Sequence, residues 1–330
     1  MKAVVYDAYG PPEVMRIGEV ETPTPKADEV RVRVRAAGVV LGDSELRTMA
    51  FPLWFRYLFR LYAGVTRPKR IRIMGQELAG DIDAVGDAVT RFKVGDPVYA
   101  PTDVRFAAQA EYRCLREKAP IAIKPSNMTY EEAATVPTGG LNALHYIRMC
   151  EIGPGEQVAV VGAAGNLGMF GVQLAKYFGA EVTGVDRGDK LDMVRSIGAD
   201  HVIDYTKQDF TQSGKKYDVV FDGPGKSRYG ATLGVLKPGG RYALANPKFF
   251  QMLRTPLSTW FGDRRVMFRF APYTSEALEF LRERIEAGDL RTVIDKHYPW
   301  EQIVDAHRYI DTGDKAGNVA ITIQAAADPR

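Results

Sequence analysis

Apolar and charged positions alternate strictly along EVRVRVRAAGV, where Val30, Val32 and Val34 interleave with Arg31, Arg33 and Arg35. A period of two puts one set on a buried face and the other in water, so the segment predicts a strand. DAVTRFKVGDPVYA carries a Gly-Asp turn ahead of an apolar strand, and AQAEYRCLRE predicts another short one. The first ~125 residues therefore read as β-rich. They are interrupted by Arg47–Arg70, RTMAFPLWFRYLFRLYAGVTRPKR, which is aromatic, basic and contains Pro52 and Pro68. This stretch is expected to form an amphipathic loop-helix packed on its domain. Of two sharper readings, a substrate-pocket wall is preferred to a membrane-surface patch.

The rhythm changes near Tyr130. NMTYEEAATVPTGGLNALHYIRMC is expected to be helical, with Thr129 capping a first turn that holds Glu131 and Glu132. An apolar strand over Val158–Val161 then runs into a glycine turn. The helix after it carries Leu167, Phe170, Leu174, Ala175 and Phe178 on one face, and a strand over Glu181–Val185 follows the break at Gly179. The alternation continues with a helix around Lys190–Ser196, the strand HVIDY, the strand YDVVFD, a helix ending at LKPGG and the strand RYALA. Strand–helix alternation of this kind predicts a doubly wound parallel sheet. After Ala245 an aromatic, basic run, NPKFFQMLRTPLSTWFGDRRVMFRF, breaks the pattern. Leu278, Leu281 and Ile285 then share a face of SEALEFLRERIEAG, a helix stopped by Gly288, and GNVAITI predicts a closing strand.

The chain has 330 residues, enough for two domains, and its 45% hydrophobic and 26% charged content is that of a globular protein. A net charge of +3 argues for no nucleic-acid partner. MKAVVYDAYG enters strand-like alternation directly, and no apolar run approaches the ~18 residues of a membrane span, so neither a secretory leader nor a membrane partner is expected. Cys114 and Cys150 are too few for a disulfide scaffold or a four-cysteine zinc lobe, and are expected to be plain thiols in a reducing cytoplasm.

GAAGNLG places glycines at 162, 165 and 168 between the predicted strand and helix. That context suits a pyrophosphate cradled at a helix N-terminus, with the N–H groups of Ala164, Gly165, Asn166 and Leu167 facing it. The spacing is G-x-x-G-x-x-G rather than the commoner G-x-G-x-x-G. Asp186 ends the next strand, where an acid accepts from the adenosine ribose and repels a 2′-phosphate, favouring NAD(H). Arg187 and Lys190 follow at once and could hold that phosphate, which keeps NADP(H) open.

These segments resemble the medium-chain dehydrogenase/reductase superfamily, and within it the zinc-independent quinone oxidoreductase, or zeta-crystallin-like, branch. The likeness runs through AAGVVLGDSELR, GQELAGDIDAVGDAVTRFKVGDPVYA, AATVPTGGLNAL, VVGAAGNLGMFGVQLAKYFGAEVTGV, GADHVIDY, LKPGGRYA and AGNVAIT in the family's order. The resemblance implies an α/β architecture in which a Rossmann doubly wound parallel sheet domain, 127–268, is inserted in a GroES-like β-rich catalytic domain, 1–126 completed by 269–330. It also implies a homodimer. Zinc alcohol dehydrogenases have Cys where this chain has Val40 and His where it has Gln76, and VPTGG offers no third ligand, so no zinc is expected. Carried over by position, Lys190 and Tyr205 resemble contacts to the phosphate-ribose end. Thr138 and Asn142 resemble the lining of the nicotinamide side. Ala245, Phe268 and Arg269 resemble the segments around the carboxamide, and Asn318 a contact near the C-terminus. The family's usual Asn after Gly-Val is Val40 here.

Without a metal to stabilise an alkoxide, substrates need their own electron sink. The expectation is a zinc-independent NAD(P)H-dependent oxidoreductase of quinones or activated alkenes, acting by hydride transfer. Candidate proton donors are Asp43 and Tyr62, with Tyr57 or water as further possibilities. Two alternatives stay open: a nucleotide-binding sensor or RNA-binding protein with little turnover, and an alcohol dehydrogenase.

Overall fold

The structure is a computed structural model that describes residues 1–51, 53–102, 106–261 and 263–323, apart from the side chains of 53–55 and 256–261. In chain order it begins with strands β1 (Lys2–Tyr6), β2 (Met15–Glu19) and β3 (Glu29–Gly38) and helices α1 (Leu41–Thr48) and α2 (Leu53–Ala63). Strands β4 (Glu77–Val85), β5 (Pro97–Pro101), β6 (Tyr112–Arg116) and β7 (Ala122–Ile123) lead to helices α3 (Tyr130–Ala134) and α4 (Pro137–Met149). The alternating region is β8 (Gln157–Val161), α5 (Asn166–Tyr177), β9 (Glu181–Asp186), α6 (Leu191–Ser196), β10 (His201–Asp204), β11 (Tyr217–Asp222), α7 (Tyr229–Gly234), β12 (Leu236–Leu244), α8 (Phe249–Phe261) and β13 (Arg265–Met267). Helix α9 (Ser275–Glu286), β14 (Ile294–Pro299), α10 (Ile303–Thr312) and β15 (Asn318–Thr322) complete it. None of the described helices is long and apolar enough to cross a membrane.

Two units form: Met1–Thr138 with Tyr273–Glu286 and Thr292–Arg330, and Gly139–Pro272 with Ala287–Arg291. Residues 127–138 fall in the first of these compact units, where α3 lies on β3 and β4. The expected single helix from Asn127 to Cys150 is two, α3 and α4. Pro137 opens the second, where its missing N–H costs nothing. Thr129 and Glu132 close a reciprocal capping box at the start of the first.

In the first unit the larger sheet runs β14-β15-β3-β4-β5-β7, with β6 paired to β3. Val30, Val32 and Val34 are fully buried, as their alternation predicts. The other face of β3 carries ion pairs across to β4, with Arg31 on both oxygens of Asp83 at 2.9 Å and Arg35 on Asp81 at 2.8 Å. Opposite charges facing across strands reinforce the register that valine burial sets.

In the second unit the sheet is parallel, ordered β10-β9-β8-β11-β12-β13. Numbered from β8, that is 3-2-1-4-5-6, the dinucleotide-binding order, whose reversal lies between β8 and β11. The helix expected to end at LKPGG stops at Gly234, and Leu236–Leu244 is strand. The aromatic run after Ala245, expected to be patternless, contains α8 and the short strand β13.

Helices α1 and α10 of the first unit are joined by a buried guanidinium. Arg47 is fully buried and donates to Gly10 O at 2.7 Å, to Asp311 Oδ2 at 2.5 Å and to Ser44 Oγ at 3.3 Å. Ser44 Oγ donates in turn to Asp311 Oδ1. His307, also buried and one turn before Asp311, is pushed to about 3 by burial and by Arg47, so it stays neutral. Removing one partner of such a pair strands the other charge. Asp311→Ala should cost about 2–3 kcal/mol in urea unfolding, less than a sealed pair because Asp311 is partly exposed. A loss within about 0.5 kcal/mol, the range of surface pairs, would contradict this reading.

Candidate functional site

The glycine turn follows β8 at the point where the strand order reverses. Register pairs Val161 with Val185 and with Asp222, so the carboxyl ends of β8, β9 and β11 stand abreast. Gly162 turns the chain with φ +74, a conformation favouring glycine. Helix α5 packs close behind it: a Cβ at Gly168 would lie 2.0 Å from the Gly162 carbonyl oxygen. At Gly165 the opposite holds. A Cβ there would meet only Gly162 O, at 3.3 Å, so the ground before the helix is open among the described residues. Gly165 is the N-cap and provides no side-chain cap. Asn166, Leu167 and Gly168 form a first turn whose amides lack intrahelical acceptors. An open, uncapped helix start with a partial positive charge fits a diphosphate.

Two of the four expected amides donate within the turn. Ala164 N–H donates to Asp186 Oδ2 at 2.8 Å, and Gly165 N–H to Gly162 O at 3.0 Å. Both are used within the turn because the register brings the end of β9 alongside it. Leu167 and Gly168 follow in the first turn of α5, where amides lack intrahelical acceptors.

Asp186 is buried at the end of β9 and accepts from Ala164 N and, at 2.8 Å, from Arg187 N. A carboxylate has about four acceptor sites, so two backbone bonds leave capacity for hydroxyls. Arg187 holds both oxygens of Asp189 at 2.6 Å, which offsets the cation expected for a 2′-phosphate. Lys190 is largely buried rather than extended into solvent. Tyr205 is exposed, and its N–H donates to Asp186 O at 3.1 Å. At the other strands, Asp222 is fully buried and accepts from Gly225 N, Ser227 N and Tyr242 Oη, fixing the loop after β11. Ala245 N–H donates to Asp222 O at 3.1 Å. Tyr146 Oη donates to Arg269 O at 3.0 Å and lies 3.5 Å from Ala245 O, so one hydroxyl gathers the ends of β12 and β13. Phe268 stacks edge-on against Phe270 at 5.2 Å.

The first unit holds a different cluster. Asp43 is fully buried and accepts from Val40 N at 3.2 Å and from Gln76 Nε2 at 3.3 Å. Glu77 is fully buried, and its Oε2 accepts from Thr138 N at 2.8 Å and Thr138 Oγ1 at 2.6 Å. Burial pushes both carboxyls up to about 7, with Asp43 adding to the rise at Glu77. Glu77 was not among the expected site residues; the signal was an acid opening the apolar strand ELAGDI. Thr138 and Asn318 each make hydrogen bonds within the protein. The Thr138 hydroxyl donates to Glu77, and the buried Asn318 amide donates to Thr292 Oγ1 at 2.9 Å and Thr135 O at 3.3 Å. Tyr62 lies on α2, with Arg70 over its ring at 5.1 Å and Phe59 beside it, rather than with Asp43. Burial raises the Cys114 and Cys150 thiols to about 11 and about 12, so neither is a thiolate near neutrality.

A parallel sheet of this order with an open glycine turn at its reversal defines a dinucleotide-binding oxidoreductase. Comparison with known proteins agrees. Residues 26–146 match the family description "Alcohol dehydrogenase GroES-like domain", and residues 197–321 match "Zinc-binding dehydrogenase". The chain is 31% identical to the 2-methylene-furan-3-one reductase of Solanum lycopersicum, over 97% of this chain and 79% of that protein. It is 29% identical to a quinone oxidoreductase of Pseudomonas aeruginosa, over 97% and 99%. The solved quinone oxidoreductase of Coxiella burnetii superposes with a TM-score of 0.87 at 24% identity, covering 98% of this chain and 99% of that one, a likeness of fold. The chain belongs to the medium-chain dehydrogenase/reductase superfamily, in its zinc-independent quinone oxidoreductase branch.

The zinc named in one matched description does not fit these residues. Val40 has no donor atom, Gln76 turns its amide nitrogen to Asp43, and Glu77 is occupied by Thr138. Among the described residues no three His, Cys, Asp or Glu side chains converge as a metal site. Zinc needs at least three such ligands.

Two outcomes follow from this geometry. The folded chain retains protons on Asp43 and Glu77 that the unfolded chain loses near pH ~4. Their contribution to stability is therefore present below about pH 4 and lost as pH rises through about 7. Asp43→Asn should flatten the fall of the urea midpoint between about pH 5 and about pH 8, and a fall as steep as in the parent would refute the assignment. Gly165 has an extended backbone, φ −80, that valine tolerates. Gly165→Val should weaken coenzyme binding about tenfold or more with little change in stability, as read by quenching of protein fluorescence. Unchanged affinity would place the coenzyme elsewhere.

Proposed function

We propose that this protein is an NAD(P)H-dependent oxidoreductase that reduces quinones or activated alkenes without a metal. The observation that carries the proposal is the presence of an open dinucleotide turn together with a metal-site-like segment that has Val40 and Gln76 at the ligand positions. Support comes from relatives named as a 2-methylene-furan-3-one reductase and a quinone oxidoreductase.

The residues divide the work as follows. The first turn of α5 would hold the diphosphate of a nicotinamide coenzyme, Asp186 would accept from its ribose hydroxyls, and the segments around Ala245, Phe268 and Arg269 would line the nicotinamide end. A bound nicotinamide coenzyme supplies hydride to the β-carbon of the alkene or to the quinone ring. The alkene π pair then forms the new bond of an enolate as the carbonyl π pair moves onto the substrate oxygen, and a proton must reach the α-carbon or that oxygen to complete the reduction. Asp43, with Glu77 coupled to it, holds a proton near neutrality and serves as the store from which that proton is drawn. A simple ketone lacks this electron sink, and neither Val40 nor Gln76 supplies a Lewis acid in its place.

The electrostatics at the end of β9 favour NADH. Asp186 puts a negative charge beside the ribose, and Arg187 is neutralised by Asp189. Oxidation of NADH and NADPH should be followed against a benzoquinone, a 2-alkenal, a cyclic enone and a simple ketone. Turnover is expected with the first three, with NADH at least about threefold better in kcat/KM. Asp189→Ala, which frees Arg187, should move that ratio toward NADPH. Ketone reduction as fast as enone reduction would replace this proposal with an alcohol dehydrogenase. No turnover despite coenzyme binding would replace it with a nucleotide sensor.

A further inference from the structure

The aromatic, basic segment predicted to pack on its domain does so with one face only. Ala63 is fully buried, and Phe59 packs against the first unit's core. Tyr9 Oη donates to Gly64 O at 2.7 Å, and Arg60 lies over the Tyr9 ring at 5.3 Å. These contacts anchor α2 and the turn after it. The outward face is apolar as well: Tyr57 is 63% exposed, Leu58 61%, Leu61 72% and Val65 56%. Tyr57, Leu58 and Leu61, at i, i+1 and i+4, lie on the outward side of α2, where a helix packed on one side only is normally polar, and Val65 adds to them from the loop beyond Gly64.

The charge within the run itself has one sign, and Arg72 at its end is paired with Asp7 at 2.8 Å. Residues 48–76 include Arg56, Arg60, Arg67, Lys69, Arg70 and Arg72, and no Asp or Glu. Arg67, Lys69 and Arg70 are exposed in the loop that follows the helix. Arg56 lies 5.8 Å from the Tyr57 ring centre and Arg70 5.1 Å from that of Tyr62, which sets cations at the rim of the apolar strip. Apolar and aromatic side chains inside a ring of arginine and lysine match the chemistry of an anionic bilayer surface. Tyrosine rings sit at the headgroup level, apolar residues enter the acyl boundary, and the cations meet lipid phosphates.

We propose that the outward face of α2 and the loop to Arg72 docks this protein on anionic lipid bilayers. A second copy of the chain suits the face less well. A two-fold interface sets the same patch against itself, and this basic run has no acid to answer it. The inference stands apart from the proposed reaction and is read without turnover.

The test is co-sedimentation of the full chain with vesicles of phosphatidylcholine alone and of phosphatidylcholine mixed with phosphatidylglycerol. Binding is expected to the mixed vesicles, weakly or not at all to the neutral ones, and to fall as salt rises past about 0.15 M. Replacing Arg67, Lys69 and Arg70 together by Gln should weaken it about tenfold or more. Leu61→Glu, at an exposed site where folding is little affected, should weaken it even at low salt. Mixed vesicles that fail to bind the parent chain, or that bind both variants as well as the parent, would overturn the proposal. So would a dimer that Leu61→Glu converts to monomers in analytical ultracentrifugation, since the face would then be a contact between copies.

Discussion

The nucleotide-binding unit depends on one close approach, that of α5 to the turn ahead of it. Gly168 rides so near the Gly162 carbonyl that a single methyl group would collide with it. Because the helix lies that close, its first turn stands at the reversal of the sheet, directly beyond the end of β8. Parallel register then carries the ends of β9 and β11 to the same edge, and with them Asp186 and Asp222. Neither acid is a loose surface charge. Each is held by backbone N–H groups, so the edge is rigid before any coenzyme arrives.

The other unit retains the frame of a metal site but applies its residues differently. In zinc relatives of this fold the segment around Gln76 carries a ligand; here the Gln76 amide and the Val40 N–H donate to Asp43, and Thr138 donates to Glu77. The acids are costly to ionise where they lie, and what they gain is the capacity to hold a proton near neutral pH.

Legibility in the sequence followed the strength of the local signal. The valine alternation of β3, the glycine turn and the apolar register of α9 each state a period and a stop, and each stands as expected. Strand β13 is three residues long inside an aromatic run, too short to show a period, and α8 carries Pro256 mid-helix, which reads as a breaker. Site residues were harder still. Asp186, Arg187 and Lys190 could be named as charges near a strand end, but whether Arg187 is free depends on Asp189 turning back to meet it. Thr138 and Asn318 carried family roles by position, while their hydrogen bonds serve Glu77, Thr135 and Thr292. Partners distant in the chain decide such questions, and position in the sequence does not record them.

The central claim is hydride transfer to an electron-poor carbon with no metal taking part. The measurement that bears on it most directly is reduction of a cyclic enone with NADH deuterated at the transferring carbon, before and after exhaustive chelation. The account predicts deuterium on the β-carbon of the product at the same rate in both samples. Loss of activity on chelation, restored by zinc, would contradict it, as would a product without deuterium at that carbon.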